Sequence, residues 1–369
     1  MEGKEIGVIL INNFKPKIGL QNIGSSSYMN AALQCFAHIK SFVDFFKNDK
    51  NHLSTLSNKK TLSYSFKLLL DNLFPESGNL YLNKNNYYEP IEFKDKISKM
   101  DPLFAGNSSN DSKDLINFII MTLNEELNDA NNIIINSNYN FDQRNKDLIY
   151  QEYIREFNKK YNSIINKIFY GTNCNITRCT ECGTQLYNYQ AYFFMIFPLE
   201  EVRKFVFSLN SSINIDRNPN MVDIYECFEF DRRLNLMSDE NAMLCNICQR
   251  KTNCNIGTHL VTGPEVLILI LSRGKGKKFD VKLKFYEQLN LDNYIEKKES
   301  GFNYQLISVI THIGESGMSG HFISFCRDQR TSLWYKFDDA IVTPVNNFQN
   351  EVINFGMPYL LFYQKGNTY

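Results

Sequence analysis

Two C-x-x-C pairs, Cys179-Thr180-Glu181-Cys182 and Cys245-Asn246-Ile247-Cys248, stand 62 residues apart in this chain. A pair at that internal spacing presents two thiolates to one metal ion, and two such pairs complete a tetrahedral four-sulfur site. The separation constrains the fold more than any other feature. The two knuckles must come from different strands of an extended ribbon with little core of its own, pinned at its tip by the metal. We therefore expect one structural zinc on Cys179, Cys182, Cys245 and Cys248, with no open position for an activated water. Redox dithiols or unmetallated thiols are the competing reading. Cys174 and Cys254 lie close to the knuckles and read as free thiols, with extra ligation as the alternative.

Nine cysteines, an odd number in 369 residues, argue against a disulfide framework and for the cytoplasm or nucleus. Lys+Arg and Asp+Glu both total 40, so no global field attracts nucleic acid, and the partner is a protein or a small molecule. The apolar run Ile6–Ile11 is too short for a signal-peptide core, and no run approaches the roughly 20 apolar residues of a membrane span. A soluble monomer is expected.

Apolar residues at three-to-four spacing predict helices at Tyr28–Phe36, Phe66–Leu73, Asp114–Leu127 and Leu148–Ile168. From about Phe169 the pattern turns to short aromatic and β-branched runs. These predict strands at Tyr192–Leu199, Val266–Leu271, Leu306–Thr311, His321–Cys326 and Leu333–Phe337. The class is α+β. The Asn-rich stretches Asn128–Asn140 and Asn210–Asn220 read as exposed loops.

Gly19 to Cys35 runs from a Gly-bounded loop into a helix that begins near Ser27. A side chain there meets unpaired backbone N–H groups and the positive end of the helix dipole, which favour a nucleophile or an oxyanion. The same serine also suits an ordinary N-cap. Near the other end, His321 and Asp338 lie on two strands of a hairpin. A turn centred between Gln329 and Arg330 sets them directly opposite, where a carboxylate can orient an imidazole as a general base. A structural His–Asp hydrogen bond fits the same register.

The segment Gly19-Leu20-Gln21-Asn22-Ile23-Gly24-Ser25-Ser26-Ser27-Tyr28-Met29-Asn30 resembles the N-terminal catalytic box of the ubiquitin-specific proteases, G-L-x-N-x-G-x-[TS]-C-Y-M-N. Gly320-His321-Phe322 with Trp334-Tyr335-Lys336-Phe337-Asp338-Asp339 resembles their histidine box, and the knuckles fall between the two as they do in that family. Asn110-Asp111-Ser112-Lys113-Asp114-Leu115 is similar to the Q-Q-D box, and Pro264–Leu271 to the core palm strand. The resemblance covers about Gly19 to Gln364.

It implies a papain-like fold with a helical thumb at about 19–168, zinc-ribbon fingers at about 169–260 and a β-sheet palm at about 261–369, after an extension at 1–18. It also implies ubiquitin or a ubiquitinated protein as the partner. By position, Asn22 donates to the oxyanion, His321 is the base, Asp338 orients it, Asp339 supports it and Asp111 lies near the ubiquitin tail. His312, upstream of the box, reads as a hydrogen-bonded structural residue. Ser27 stands at the nucleophilic cysteine position, and Cys35, roughly 12 Å further along the helix, cannot replace it.

An alcohol has no accessible anion near neutral pH, so the expected function is ubiquitin recognition by a catalytically impaired pseudo-deubiquitinase. The alternatives are a weak Ser27-dependent hydrolase and an active deubiquitinase in which Ser27 is an engineered substitution. Ser109 and Asn110 depart from the glutamine pair, and Ser272-Arg273-Gly274 from the usual Lys-Arg-Phe.

Overall fold

A computed structural model describes residues 17–48, 61–75, 87–129, 144–209, 218–273, 281–296, 302–316, 319–355 and 357–366. Residues 1–16 of the extension, residues 130–140 of the first Asn-rich stretch, residues 210–217 of the second and Gly274 lie outside them.

The run Val266-Leu267-Ile268-Leu269-Ile270-Leu271 shows why the molecule has two cores. Successive side chains of a strand point to opposite faces, and a continuous apolar run therefore marks a strand buried on both sides. Val266, Ile268 and Ile270 join a core built mainly of helices, among them Ser27–Ala37, Leu62–Leu73 and Ser112–Glu126. Leu267, Leu269 and Leu271 join a second core on the opposite face with Phe197, Phe228, Leu361 and Tyr363. That strand lies in an eight-stranded mixed sheet. It pairs antiparallel with Met357–Lys365 and parallel with Met195–Pro198. Beyond Met357–Lys365 the order continues through Asn303–Ser316, Ser319–Arg327, Trp334–Asp338 and Ile341–Pro344.

Two sequence expectations change here. Leu148–Ile168 is two helices, Lys146–Lys160 and Ile164–Phe169, because Ser163 takes an extended conformation and its hydroxyl accepts from Asn166 N at 2.9 Å, capping a new helix. Tyr192–Leu199 is not one strand: Tyr192 ends the Gln185–Tyr192 strand and Met195–Pro198 forms another. A helix follows at Leu199–Leu209, with Glu200 and Glu201 in its first turn, where carboxylates suit the dipole.

A separate sheet forms a four-stranded ribbon in the order Gln185–Tyr192, Gly171–Cys179, Cys254–Thr262, Asn235–Met237. Its own apolar cluster is small, with Cys174, Tyr189 and Val261 as its buried members. A ribbon so thin buries too little apolar surface to hold its far end unaided.

Candidate functional site: a serine, a His–Asp pair and a four-cysteine tip

The helix that starts at Ser27 packs against the strand carrying His321. Ser27 is its first residue, buried, and Ser26 occupies the cap position with no side-chain cap bond. The Ser27 hydroxyl thus does no capping. It accepts instead from the backbone N–H of Phe322 at 3.3 Å, which sets Oγ beside the residue that follows His321.

His321 Nε2 lies 2.7 Å from Asp338 Oδ1. A nitrogen facing a carboxylate carries the proton, so in the neutral ring Nδ1 is the acceptor. Burial pushes the Asp338 carboxyl up, but the bond from His321 and the Lys336 ammonium outweigh it and hold the group below the usual carboxylate value. These contacts therefore contribute stability above the ordinary Asp value of about 3.9, and that contribution is lost as pH falls through the depressed one.

The hairpin register differs from the expected one by two residues. Cys326 pairs with Tyr335 and Arg327 with Trp334, so the turn centres between Arg330 and Thr331. Asp328 sets this turn: its carboxylate accepts from Arg330 N at 2.9 Å, and Ser332 closes the loop in a left-handed conformation with φ 62°. A slip of two leaves every side chain on its own face, and His321 reaches Asp338 as a diagonal rather than a direct neighbour.

Asp339 binds the N-terminal loop to this hairpin. Its Oδ2 accepts from Asn22 Nδ2 at 2.9 Å and its Oδ1 from Asn30 Nδ2 at 2.8 Å, while its carbonyl accepts from Leu20 N at 2.9 Å. Asn22 Oδ1 in turn accepts from Gly24 N and Ser26 N, at 3.2 and 3.1 Å. Gly19 is needed where loop meets hairpin, since a Cβ there would lie 2.3 Å from the Ala340 carbonyl oxygen. Sequence reasoning named Asn22 and Asp339 but missed Asn30, which also donates to Leu20 O and Gln21 O at 3.1 and 3.2 Å. A polar residue at an inward position of an apolar helix was the available signal.

Asp111 caps the Ser112–Glu126 helix through Lys113 N at 2.9 Å, and its other oxygen accepts from Tyr359 Oη at 2.6 Å. Tyr28 anchors the same loop. Its carbonyl accepts from Ser112 Oγ at 2.9 Å, and its hydroxyl lies 3.4 Å from both Asn110 Nδ2 and the buried Lys94 Nζ. Asn110 thus helps fix this loop. Arg273 donates to Pro358 O at 3.0 Å and to Val281 O, and burial lowers its pKa to about 10. His312 is half-buried with its ring 4.8 Å from that of Phe322, and burial lowers its pKa. The glycine before His321 follows from this packing, because a Cβ on Gly320 would meet His312 Nε2 at 2.2 Å. Cys35 is fully buried in the helical core.

At the ribbon tip the Cys179, Cys182, Cys245 and Cys248 sulfurs all lie within 4.8 Å of one another. Cys179 Sγ is 3.9 Å from Cys248 Sγ, and Cys182 Sγ is 3.6 Å from Cys245 Sγ. A tetrahedral ion with metal–sulfur bonds of ~2.3 Å places its sulfurs about 3.8 Å apart, so the donor set fits one metal ion. The amide of Cys182 and the hydroxyl of Thr252 hold the Cys179 thiol down at about 6, whereas burial and the neighbouring thiols push Cys248 up to about 12. The bonds to Thr184 lower the Cys182 thiol as well, and a cation at the centre of the cluster would favour the Cys248 thiolate. Cys174 and Cys254 are buried outside this group.

The sequence matches the ubiquitin carboxyl-terminal hydrolase family over residues 18–363. The chain belongs to this family. Human ubiquitin carboxyl-terminal hydrolase 2 is 23% identical over 357 residues, covering 94% of this chain and 54% of the relative. Human ubiquitin carboxyl-terminal hydrolase 21 is 24% identical over 370 residues, covering 94% and 61%. The chain thus spans little more than half the length of these relatives. Among solved structures, the SAGA DUB module of Ubp8 with Sgf11, Sus1 and Sgf73 bound to monoubiquitin matches with a TM-score of 0.69 at 21% identity, covering 95% of this chain and 70% of that one. The same module bound to ubiquitin aldehyde matches with a TM-score of 0.69 at 20% identity. The hydrolase-family fold gives the parts their places: the helices from Ser27 to Phe169 are the thumb, the four-stranded ribbon the fingers and the eight-stranded sheet the palm.

Proposed function

We propose that this chain is a hydrolase-family domain that binds ubiquitin, or the ubiquitin of a conjugate, and holds it without cleaving it. The observation that carries this reading is Ser27, at the start of the helix that the resemblance assigns to the nucleophilic cysteine. His321 is bonded to Asp338 and Asn22 to Asp339, and the resemblance assigns these four to base, orienting carboxylate, oxyanion donor and support. A thiol reaches its anion near neutral pH with help from an imidazolium and a helix N-terminus, and an alcohol does not. A serine must lose its proton during attack in an accurately placed site. A cavity shaped for sulfur sets the shorter oxygen back, and an error of about 1 Å costs on the order of a hundredfold.

The Ubp8 match bound to monoubiquitin supports ubiquitin as the partner. The ubiquitin tail runs extended between thumb and palm past Asp111, bonding through its backbone. The metal is zinc, which suits four thiolates and has a structural role at the tip of the fingers. Nine unbridged cysteines favour a reducing compartment, cytoplasm or nucleus.

Titration with ubiquitin and with ubiquitin lacking its C-terminal Gly-Gly tests the channel. The intact tail should bind at least about tenfold more tightly, a difference of about 1.4 kcal/mol. Equal affinities would remove the tail channel, and no binding to either would remove ubiquitin as the partner.

A further inference from the structure

Asp338 faces two nitrogen donors, and only one of them is the histidine. Oδ1 takes His321 Nε2 at 2.7 Å while Oδ2 lies 3.2 Å from Lys336 Nζ. Lys336 and Asp338 are two residues apart on one strand and so project from the same face. The ammonium also sits over the Phe355 ring, 5.5 Å from its centroid, and the Lys336 side chain is 29% exposed. This is a lysine held from two sides rather than one free in solvent.

We infer that Lys336 is a positioning residue for the His321 base: it holds the second oxygen of Asp338 and weakens that carboxylate's grip on the protonated imidazole. The other groups facing His321 do not take this role. His312, on the Asn303–Ser316 strand, interacts with His321, but its burial disfavours its charged form. Asp111, at the N-terminus of the Ser112–Glu126 helix, acts on His312 and is bonded to Tyr359. Ser27 carries no charge, and the Asp339 carboxylate is taken by Asn22 and Asn30. Lys336 is left as the permanent cation on the Asp338 carboxylate, and it competes with the imidazole for that carboxylate's charge. A neutral ring accepts a proton from an alcohol, whereas a charged ring is what an ion pair with a thiolate needs.

The inference rests on the reading of His321 as the base, and its test needs neither ubiquitin nor turnover. The chain has five histidines, few enough for their ring carbons to be titrated by NMR, with the His321 signal identified by its absence in His321→Ala. In Lys336→Met the His321 midpoint should rise by about half a unit, roughly a threefold gain in proton affinity after allowance for solvent screening. Lys336→Arg should leave it in place. Raising salt from about 0.05 M to 0.5 M should move the unmodified chain toward the Met variant, since the Debye length falls to a few ångströms. Lys336→Gln provides a second uncharged variant should Met perturb the strand. An unmoved or lowered midpoint in either uncharged variant, with the remaining spectrum unchanged, would overturn the inference. Ubiquitin is absent throughout, so no result here bears on the binding reading, and loss of binding would leave this titration intact.

Discussion

Ser27→Cys is expected to raise cleavage of a ubiquitin C-terminal amide on the order of a thousandfold above the unmodified chain. The substitution changes one atom at the buried start of the Ser27–Ala37 helix and leaves the His321–Asp338 pair, at 2.7 Å, untouched. The thiol starts near ~8.5, and the helix N-terminus and the imidazole both favour its anion. Base-assisted attack of this kind contributes roughly 10²–10⁴-fold, which sets the scale. His321→Ala in the same background should remove the gain, because the thiol then loses the base that takes its proton. A Cys variant that folds, binds ubiquitin and stays inactive would show that more than the nucleophile differs. The loop bearing Ser109 and Asn110 would then be the first place to look, since Asn110 is bonded to Tyr28, the residue after Ser27.

The second large effect concerns the fingers. Cys245→Ser with Cys248→Ser should abolish stoichiometric zinc, melt the ribbon and weaken ubiquitin binding by more than about tenfold. Four thiolates contribute an apparent binding free energy of about 10–16 kcal/mol in small zinc-dependent folds, and two cannot hold the ion. The ribbon has little else, since its own buried apolar members are Cys174, Tyr189 and Val261. Cys174→Ser and Cys254→Ser, outside the cluster, should retain the metal. Metal analysis of freshly purified protein reads both outcomes. Full zinc in the double variant would sink the assignment.

Much of this was legible in the residues because the deciding features are local in sequence. Paired cysteines at fixed spacing, a two-sided apolar run such as Val266–Leu271 and a Gly-bounded loop entering a helix each carry their physical reason within a few positions. What was not legible depended on distant partners or on loop chemistry. The hairpin register was set by the Asp328 carboxylate folding back on Arg330 N, and the period of two alone kept His321 and Asp338 on one face. The break at Ser163 was hidden by a helical pattern that continues on both sides of it. Asp339 takes a left-handed conformation, φ 52°, and its hold on Asn22 and Asn30 joins residues more than 300 positions apart. No spacing rule reaches that far.

The central claim is that this site binds ubiquitin and does not cut it, and one cuvette can test both halves. Ubiquitin carrying an amide-linked fluorophore at its C-terminus is mixed with the unmodified chain, with anisotropy reporting the complex and liberated fluorophore reporting cleavage. The account predicts saturable binding with the fluorophore still attached after hours. Release of the fluorophore that Ser27→Ala abolishes would contradict it and make Ser27 a working nucleophile.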